Sequence, residues 1–378
     1  KNASLQIEIR KKGGYIWNSV DKNDLMSFSG ISNSKIIFCN EDDFYSTYTS
    51  DRHGLNNPDH VWDKKKLDIV LIGDSFVHGA CVNGGDDITS NIRKLTNLNA
   101  INLGWPRTGP LAQYASYLEY IEKKPKYLFW FFFGSNDVVD LKRELKNITL
   151  SKYFSHSNFR QNLKKKRTEI NLILKENNNL FMQTTFELRK INKFKNFKDF
   201  IKLYKTRQFL LYKISEIINI NKKSSAQDNE NCTAWVNISR EKNKTVKDFD
   251  SEVVQERDLD KYIWNNKKCI NESLNEYFNI VNKMKKITDK NDTKLVLVYF
   301  TRPENIFSKK ASSLQEMKRA IFEKMKQNNI DFIDIDNAIK ENFPIPSVLY
   351  PKHHPGHHYN KLGYKFISEK IVEFINKN

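Results

Sequence analysis

Five short apolar runs separated by amphipathic stretches set the frame of this chain. Residues 67–72 (Leu-Asp-Ile-Val-Leu-Ile), 100–103, 127–133, 294–300 (Lys-Leu-Val-Leu-Val-Tyr-Phe) and 330–335 have the length and β-branched or aromatic content of strands. The run 127–133 is apolar throughout and is bounded by Pro125 and Gly134, as expected of a central strand buried on both faces. Helical patterns fall between the runs, over roughly 87–97, 110–123, 313–328 and 360–376. Strands alternating with helices predict an α/β fold, a parallel, doubly wound sheet.

Two segments depart from that alternation. Residues 1–64 carry no strong periodicity; acidic Glu41-Asp42-Asp43, aromatic Phe44 and Tyr45 and then Ser50-Asp51-Arg52-His53-Gly54 suggest an extension packed on the main domain. Residues 141–292 separate the third and fourth strands and are rich in Lys and Asn. Leu210, Leu211, Ile214, Ile217 and Ile218 fall at helical spacing there, as do Tyr277, Ile280, Val281 and Met284, whereas 222–258 reads as polar loop. The reading is a helical insertion, either a lid over a site or a peripheral decoration. The main domain is then assembled from 65–140 and 293–378.

Composition narrows the setting. The 378 residues are 39% hydrophobic and 29% charged, enough for a sizeable core. The net charge of +18 attracts polyanions, an acidic polysaccharide among them. Lys is spread along the chain, however, and no nucleic-acid-binding signature stands out, so no specific nucleic-acid partner is expected. No apolar stretch is long enough to span a membrane. The four cysteines form no Cys-x-x-Cys pair. Cys81 reads as a buried small hydrophobe. Cys232 and Cys269 flank a polar stretch and either form a disulfide, which suits a periplasmic or extracellular compartment, or remain reduced as in the cytoplasm.

Ligands of an open α/β sheet bind beyond the carboxyl ends of its strands. Ser75 follows the first strand in Gly73-Asp74-Ser75, Gly104 follows the second, and Asn136 follows the third in Gly134-Ser135-Asn136-Asp137. Ser75 is the candidate nucleophile and needs a base. His358, in the loop before the last helix, is the candidate base, with His357 its rival; His353 and His354 share that loop. A metal site is the alternative for this histidine cluster, although no carboxylate or Cys partner is evident for it. The backbone N–H groups of Ser75 and Gly104 and the Asn136 amide are candidate oxyanion donors, each worth roughly 3–4 kcal/mol of barrier. Gly104 as a plain turn glycine and Asn136 as a helix cap are the alternatives. Asp74 and Asp137 are expected to support the loops. No metal or organic cofactor is needed for this chemistry.

These blocks, in this order, resemble those of the SGNH (GDSL-like) hydrolases. The resemblance covers about 65–140 and 293–376 and leaves 141–292 unmatched. It implies a three-layer α/β/α flavodoxin-like sandwich and ester hydrolysis or acyl transfer through an acyl-serine. The stretch 50–54 and His357-His358-Tyr359-Asn360 look like bacterial members associated with the envelope or exported polysaccharide. One departure stands out: the family's Asp three residues before the His is Pro355 here. A backbone carbonyl or another side chain, Asp334 or Asp336 among them, would have to orient the imidazole. The expected function is a serine esterase or O-acyltransferase acting on a short acyl ester, acetyl above all, of a bacterial glycan. A lipolytic esterase, with Phe197, Phe200, Tyr204 and Phe209 of the insertion covering an acyl pocket, is the first alternative. A catalytically inactive module that binds glycan or polyanion is the second.

Overall fold

Seven consecutive apolar residues, Tyr127–Phe133, form the central strand, and every one of them is buried. A computed structural model describes residues 25–39, 41, 44–176, 267–302, 306, 312–351 and 358–378. The chain divides into two compact units, Lys1–Lys175 with Val253–Asn378, and Glu176–Glu252; the described residues belong, Glu176 aside, to the first.

The strands are β1 (Lys35–Cys39), β2 (Ser46–Thr49), β3 (Ile69–Ile72), β4 (Ala100–Asn102), β5 (Tyr127–Phe133), β6 (Lys294–Phe300) and β7 (Asp331–Asp334). The helices are α1 (Ser75–His78), α2 (Ile88–Thr96), α3 (Pro110–Tyr120), α4 (Asp137–Glu144), α5 (Ile148–Ser155), α6 (Lys267–Lys290), α7 (Ser312–Gln327), α8 (Ile335–Asn342) and α9 (Lys361–Lys377). Strands β3 to β7 form one sheet in the order β4-β3-β5-β6-β7, parallel at every pairing. Strand order therefore reverses between β3 and β5, and the crevice at such a switch point is where ligands of this architecture bind. The expected α/β fold with a central parallel sheet is the one found.

Side-chain alternation gives each face of the sheet its own core. Ile69, Leu71, Phe129, Phe131, Phe133, Val296, Val298 and Phe300 pack against α2, α8 and α9 through Ile92, Ile339 and Ile371. Val70, Ile72, Leu128, Trp130, Phe132, Leu297 and Tyr299 pack against α3, α4, α6 and α7 through Leu111, Val139, Met284 and Ile321. Helix α6 lies in the second half of the 141–292 stretch. Tyr277, Ile280, Val281 and Met284, which share one helical stripe, are all buried against this core. The other helical stripe, Leu210 to Ile218, and the aromatics Phe197, Phe200, Tyr204 and Phe209 lie outside the described residues.

Ahead of the main sheet, β1 and β2 pair antiparallel in a separate two-stranded sheet, with a register irregularity between Ile37 and Cys39. The stretch 50–54 is organised by Asp51. Its buried carboxylate accepts from the N–H groups of His53 (2.8 Å) and Leu55 (2.9 Å), from Asn57 (3.0 Å) and from the Trp62 indole (2.8 Å). The loop so fixed sends Asn56 to the carbonyl of His78 at the end of α1 (2.9 Å). It is bracing for the switch-point crevice. No helix among the described residues is long and apolar enough to cross a membrane.

Candidate active site

Ser75 is the first residue of α1, directly beyond β3. Asp74 caps that turn by accepting from the N–H of Phe76 (3.0 Å). Gly73 is required for close packing: a Cβ there would lie 2.4 Å from Cγ2 of Val77 and 3.0 Å from Cβ of Phe131. Being at the first helical position, the Ser75 N–H has no partner within its own helix. At the other end of the chain, Asn360 caps α9 through the N–H of Gly363 (3.1 Å) and ties back to the carbonyls of Val348 (2.8 Å) and Tyr350 (3.0 Å). This anchors the segment that carries His358. The Phe76 ring lies 4.9 Å from the imidazole and gives it an apolar wall.

The two side chains meet. His358 Nε2 lies 2.9 Å from Ser75 Oγ. On the opposite side of the ring, Nδ1 lies 3.0 Å and 3.2 Å from the two oxygens of Glu41, which also accepts from the His358 backbone N–H at 3.0 Å. A carboxylate can only accept, so Nδ1 carries the proton and Nε2 presents its lone pair to the serine hydroxyl. Glu41 thus takes the orienting position that Pro355 leaves vacant in the sequence. It enters from the connection between β1 and β2. Its side chain is 18% exposed and that of His358 23%, so the pair is shielded while one edge stays open.

The other candidates for that position serve the fold. Asp334 caps α8 through the N–H of Asn337 and pairs with Lys318 at 2.6 Å. Asp336 accepts from the N–H (2.8 Å) and hydroxyl (2.9 Å) of Thr301, and burial raises its carboxyl to about 6. His353, His354, Pro355 and the rival base His357 lie outside the described residues.

Asn136 stands just before α4, yet its side chain does not cap that helix. It interacts instead with the Asp74 carboxyl, which it helps hold down against the rise that burial imposes. A carboxylate neighbour dictates that the NH₂ faces it, and an amide nitrogen carries a second donor. Asp137 accepts from the N–H of Phe133 (2.9 Å) and so fastens the turn that follows β5. Burial, then the charge of Asp74, holds Asp137 well above the usual carboxylate range, and burial raises Asp74 to about 6. These two acids are both buried, and each feels the other's charge.

Gly104 departs from the expectation of an oxyanion donor, because its N–H donates to Oδ1 of Asn102 at 2.8 Å. Its requirement is steric. A Cβ at this position would lie 2.3 Å from the backbone nitrogen of His78 and 2.6 Å from the carbonyl carbon of Val77. Asn102 also donates to the Val77 carbonyl (2.7 Å) and so clamps the end of β4 onto α1.

The cysteines also differ from expectation. Cys81 is buried, but not as a free thiol: it is bonded to Cys39 in a disulfide. Cys232 and the side chain of Cys269 lie outside the described residues. The Cys81 sulfur sits 3.5 Å from His358 Nδ1, and one ligand-type atom from each of Cys39, Glu41, Cys81 and His358 falls within a 4.8 Å cluster. With both sulfurs in the disulfide, the cluster offers a metal only a carboxylate and an imidazole, fewer than a structural zinc takes.

Sequence reasoning missed Glu41, Asn102 and the Cys39–Cys81 bond. The acidic tripeptide 41–43 was the one signal for Glu41. Comparison with known proteins adds little. No family model and no curated protein matches the chain. A solved structure described as a candidate lipolytic protein of the G-D-S-L family, from Desulfitobacterium hafniense DCB-2, aligns over 82% of this chain and 99% of its own, at 11% identity and a TM-score of 0.38. At that identity and TM-score the likeness carries no weight for fold, family or activity.

Proposed function

We propose that the chain is a serine esterase or O-acyltransferase of the SGNH type that works through an acyl-serine. The observation that carries this reading is the continuous relay from Glu41 through His358 to Ser75, assembled from segments up to 317 residues apart in sequence. Burial alone does not require a carboxylate, an imidazole and a hydroxyl to align in this order. Nucleophilic catalysis does.

His358 Nε2 takes the Ser75 proton as Oγ attacks the ester carbonyl. The Ser75 N–H and the Asn136 amide stabilise the oxygen that becomes negative, and Glu41 holds the imidazole and balances its charge. His358 then gives the proton to the leaving alcohol. Water, or an acceptor hydroxyl in the transferase case, repeats the sequence on the acyl-serine. With Glu41 in the orienting position, the inactive-module alternative loses the feature that motivated it.

The substrate we propose is a short acyl ester, acetyl above all, on a bacterial glycan, met in the periplasm or outside the cell. The support is the likeness of 50–54 and 357–360 to envelope-associated hydrolases, together with a disulfide, which persists in oxidising compartments. The test is hydrolysis of p-nitrophenyl acetate against p-nitrophenyl octanoate, wild type beside Ser75→Ala. Acetate turnover abolished in the variant is the expected result. A preference for octanoate moves the assignment to a lipolytic esterase, and turnover that survives Ser75→Ala removes the serine mechanism.

A further inference from the structure

We propose that the Cys39–Cys81 disulfide is the positioning element that holds Glu41 against His358, so that the reactivity of Ser75 depends on the thiol redox state of this one bond. The inference rests on the serine-hydrolase reading above.

The connectivity is direct. Cys39 ends β1, and Glu41 follows two residues later. Cys81 lies just beyond α1, the turn that begins with Ser75. One covalent bond therefore joins the segment that carries the acid to the segment that carries the nucleophile, with the two Cα atoms 4.7 Å apart. The bond also lies against the group it would tune, since the Cys81 sulfur is 3.5 Å from the same imidazole nitrogen that faces Glu41.

Beside the disulfide, the hairpin meets α1 through rings, with Phe38 and Tyr48 4.6 Å and 5.0 Å from the imidazole of His78. β1 belongs to the separate two-stranded sheet, and its register slips immediately before Cys39. Contact from this sheet to the loop after α1 is also made by β2, where Gly84 N–H donates to the Thr47 carbonyl (2.8 Å) and Thr47 N–H to Oδ1 of Asn83 (3.0 Å). The apolar contact is a small cluster of Phe38, Tyr48, Ala80 and Cys81. A second, independent observation is the backbone of Cys81, whose φ of +70° lies in the left-handed region that a side chain with a Cβ rarely adopts. Such a conformation persists where the surroundings impose it, and the cross-link at this residue is such a constraint.

Reduction by a small dithiol breaks the Sγ–Sγ bond. Each sulfur takes up a proton, and the dithiol is oxidised to its own disulfide. The tip bearing Glu41 then loses its covalent anchor while the Ser75–His358 pair keeps its supports in α1 and α9. The inference is therefore a loss of orientation with the fold intact.

The experiment compares wild type and Glu41→Gln, each oxidised and dithiol-treated. It reads the rate of Ser75 labelling by a fluorophosphonate and the proton NMR resonance of the hydrogen-bonded Nδ1–H of His358, with circular dichroism on the same samples. Reduction should slow wild-type labelling by about tenfold or more and abolish the resonance. Glu41→Gln should show the same slow rate when oxidised and lose nothing further on reduction. The double variant Cys39→Ala/Cys81→Ala should reproduce the reduced wild type without reductant, which sets aside any effect at Cys232 and Cys269. Unchanged labelling and a retained resonance in reduced wild type would overturn the proposal, as would a further loss in reduced Glu41→Gln. If oxidised wild type shows no Ser75-dependent labelling at all, the hydrolase reading fails, while the resonance still reports whether the disulfide places Glu41.

Discussion

A carboxylate has no proton to give at neutral pH, and that fact fixes the state of His358. Replacing Glu41 by Gln puts an NH₂ beside Nδ1. The imidazole then turns its lone pair toward the amide and its proton toward Ser75, the wrong tautomer for a base. Glu41→Gln should lower kcat on p-nitrophenyl acetate by about 10²–10⁴ with little change in KM, the larger figure being that for the acid of a buried triad. Asn136→Ala removes the side-chain donor proposed for the oxyanion, and with it a partner of Asp74, so kcat should fall by about 10²–10³, again with KM nearly constant in steady-state assays. Ser75 and His358, whose side chains meet in the fold, are legible in the sequence because each sits in a short motif, one at the end of a strand and one before a helix. Glu41 is not. It lies 317 residues from its partner in a segment without periodicity, and only folding brings the two together.

Element boundaries are legible where burial is two-sided. Residues 127–133 are apolar along their whole length and 294–300 are apolar after Lys294 because each strand is covered on both faces there, and the structure returns the same bounds. The β1–β2 hairpin escapes such reading, since Ser-Thr-Tyr-Thr in β2 alternates buried and open positions over only four residues. Helix α6 is legible through its stripe, and Tyr277 is its anchor, with ring centroids 4.7 Å from Phe132 and 6.0 Å from Trp130. Tyr277→Ala should cost about 3–5 kcal/mol in urea unfolding, as truncation of a buried aromatic does. Ser75 lies on another element, so its labelling at low denaturant should persist. Gly104→Ala should act differently. The added methyl meets the backbone of α1, and overpacking of this kind costs about 1–3 kcal/mol. Here the strain falls on the turn that holds Ser75, so labelling should slow even where the protein remains folded.

Among the described residues, several acids are buried deeply enough to be held above the usual carboxylate range, despite the net charge of +18. Burial raises the carboxyls of Asp74 and Asp336 to about 6 and that of Glu144 to about 8; the last accepts from the N–H groups of Gly109, Leu111 and Ala112 at the start of α3. His53 runs the other way, lowered to about 4 by burial, so it opposes folding as pH falls from its ordinary value of 6.5. Above pH 6.5 that histidine is neutral in both states and contributes no slope. Glu144 still does: the native state keeps its proton up to about 8, whereas the unfolded chain has released it near 4.5. The unfolded state therefore binds fewer protons, and stability falls as pH rises through this window. At about 1.4 kcal/mol per pH unit, the loss attributable to Glu144 between pH of about 6.5 and about 8 reaches about 2 kcal/mol. Thermal unfolding across that range should show a Tm that declines toward pH 8 in wild type and a shallower decline in Glu144→Gln. The amide keeps an acceptor for α3 but has no proton to lose, and the other buried acids are common to both proteins. A difference in slope therefore isolates this one carboxyl, while equal slopes would mean that the three backbone donors already hold Glu144 ionised.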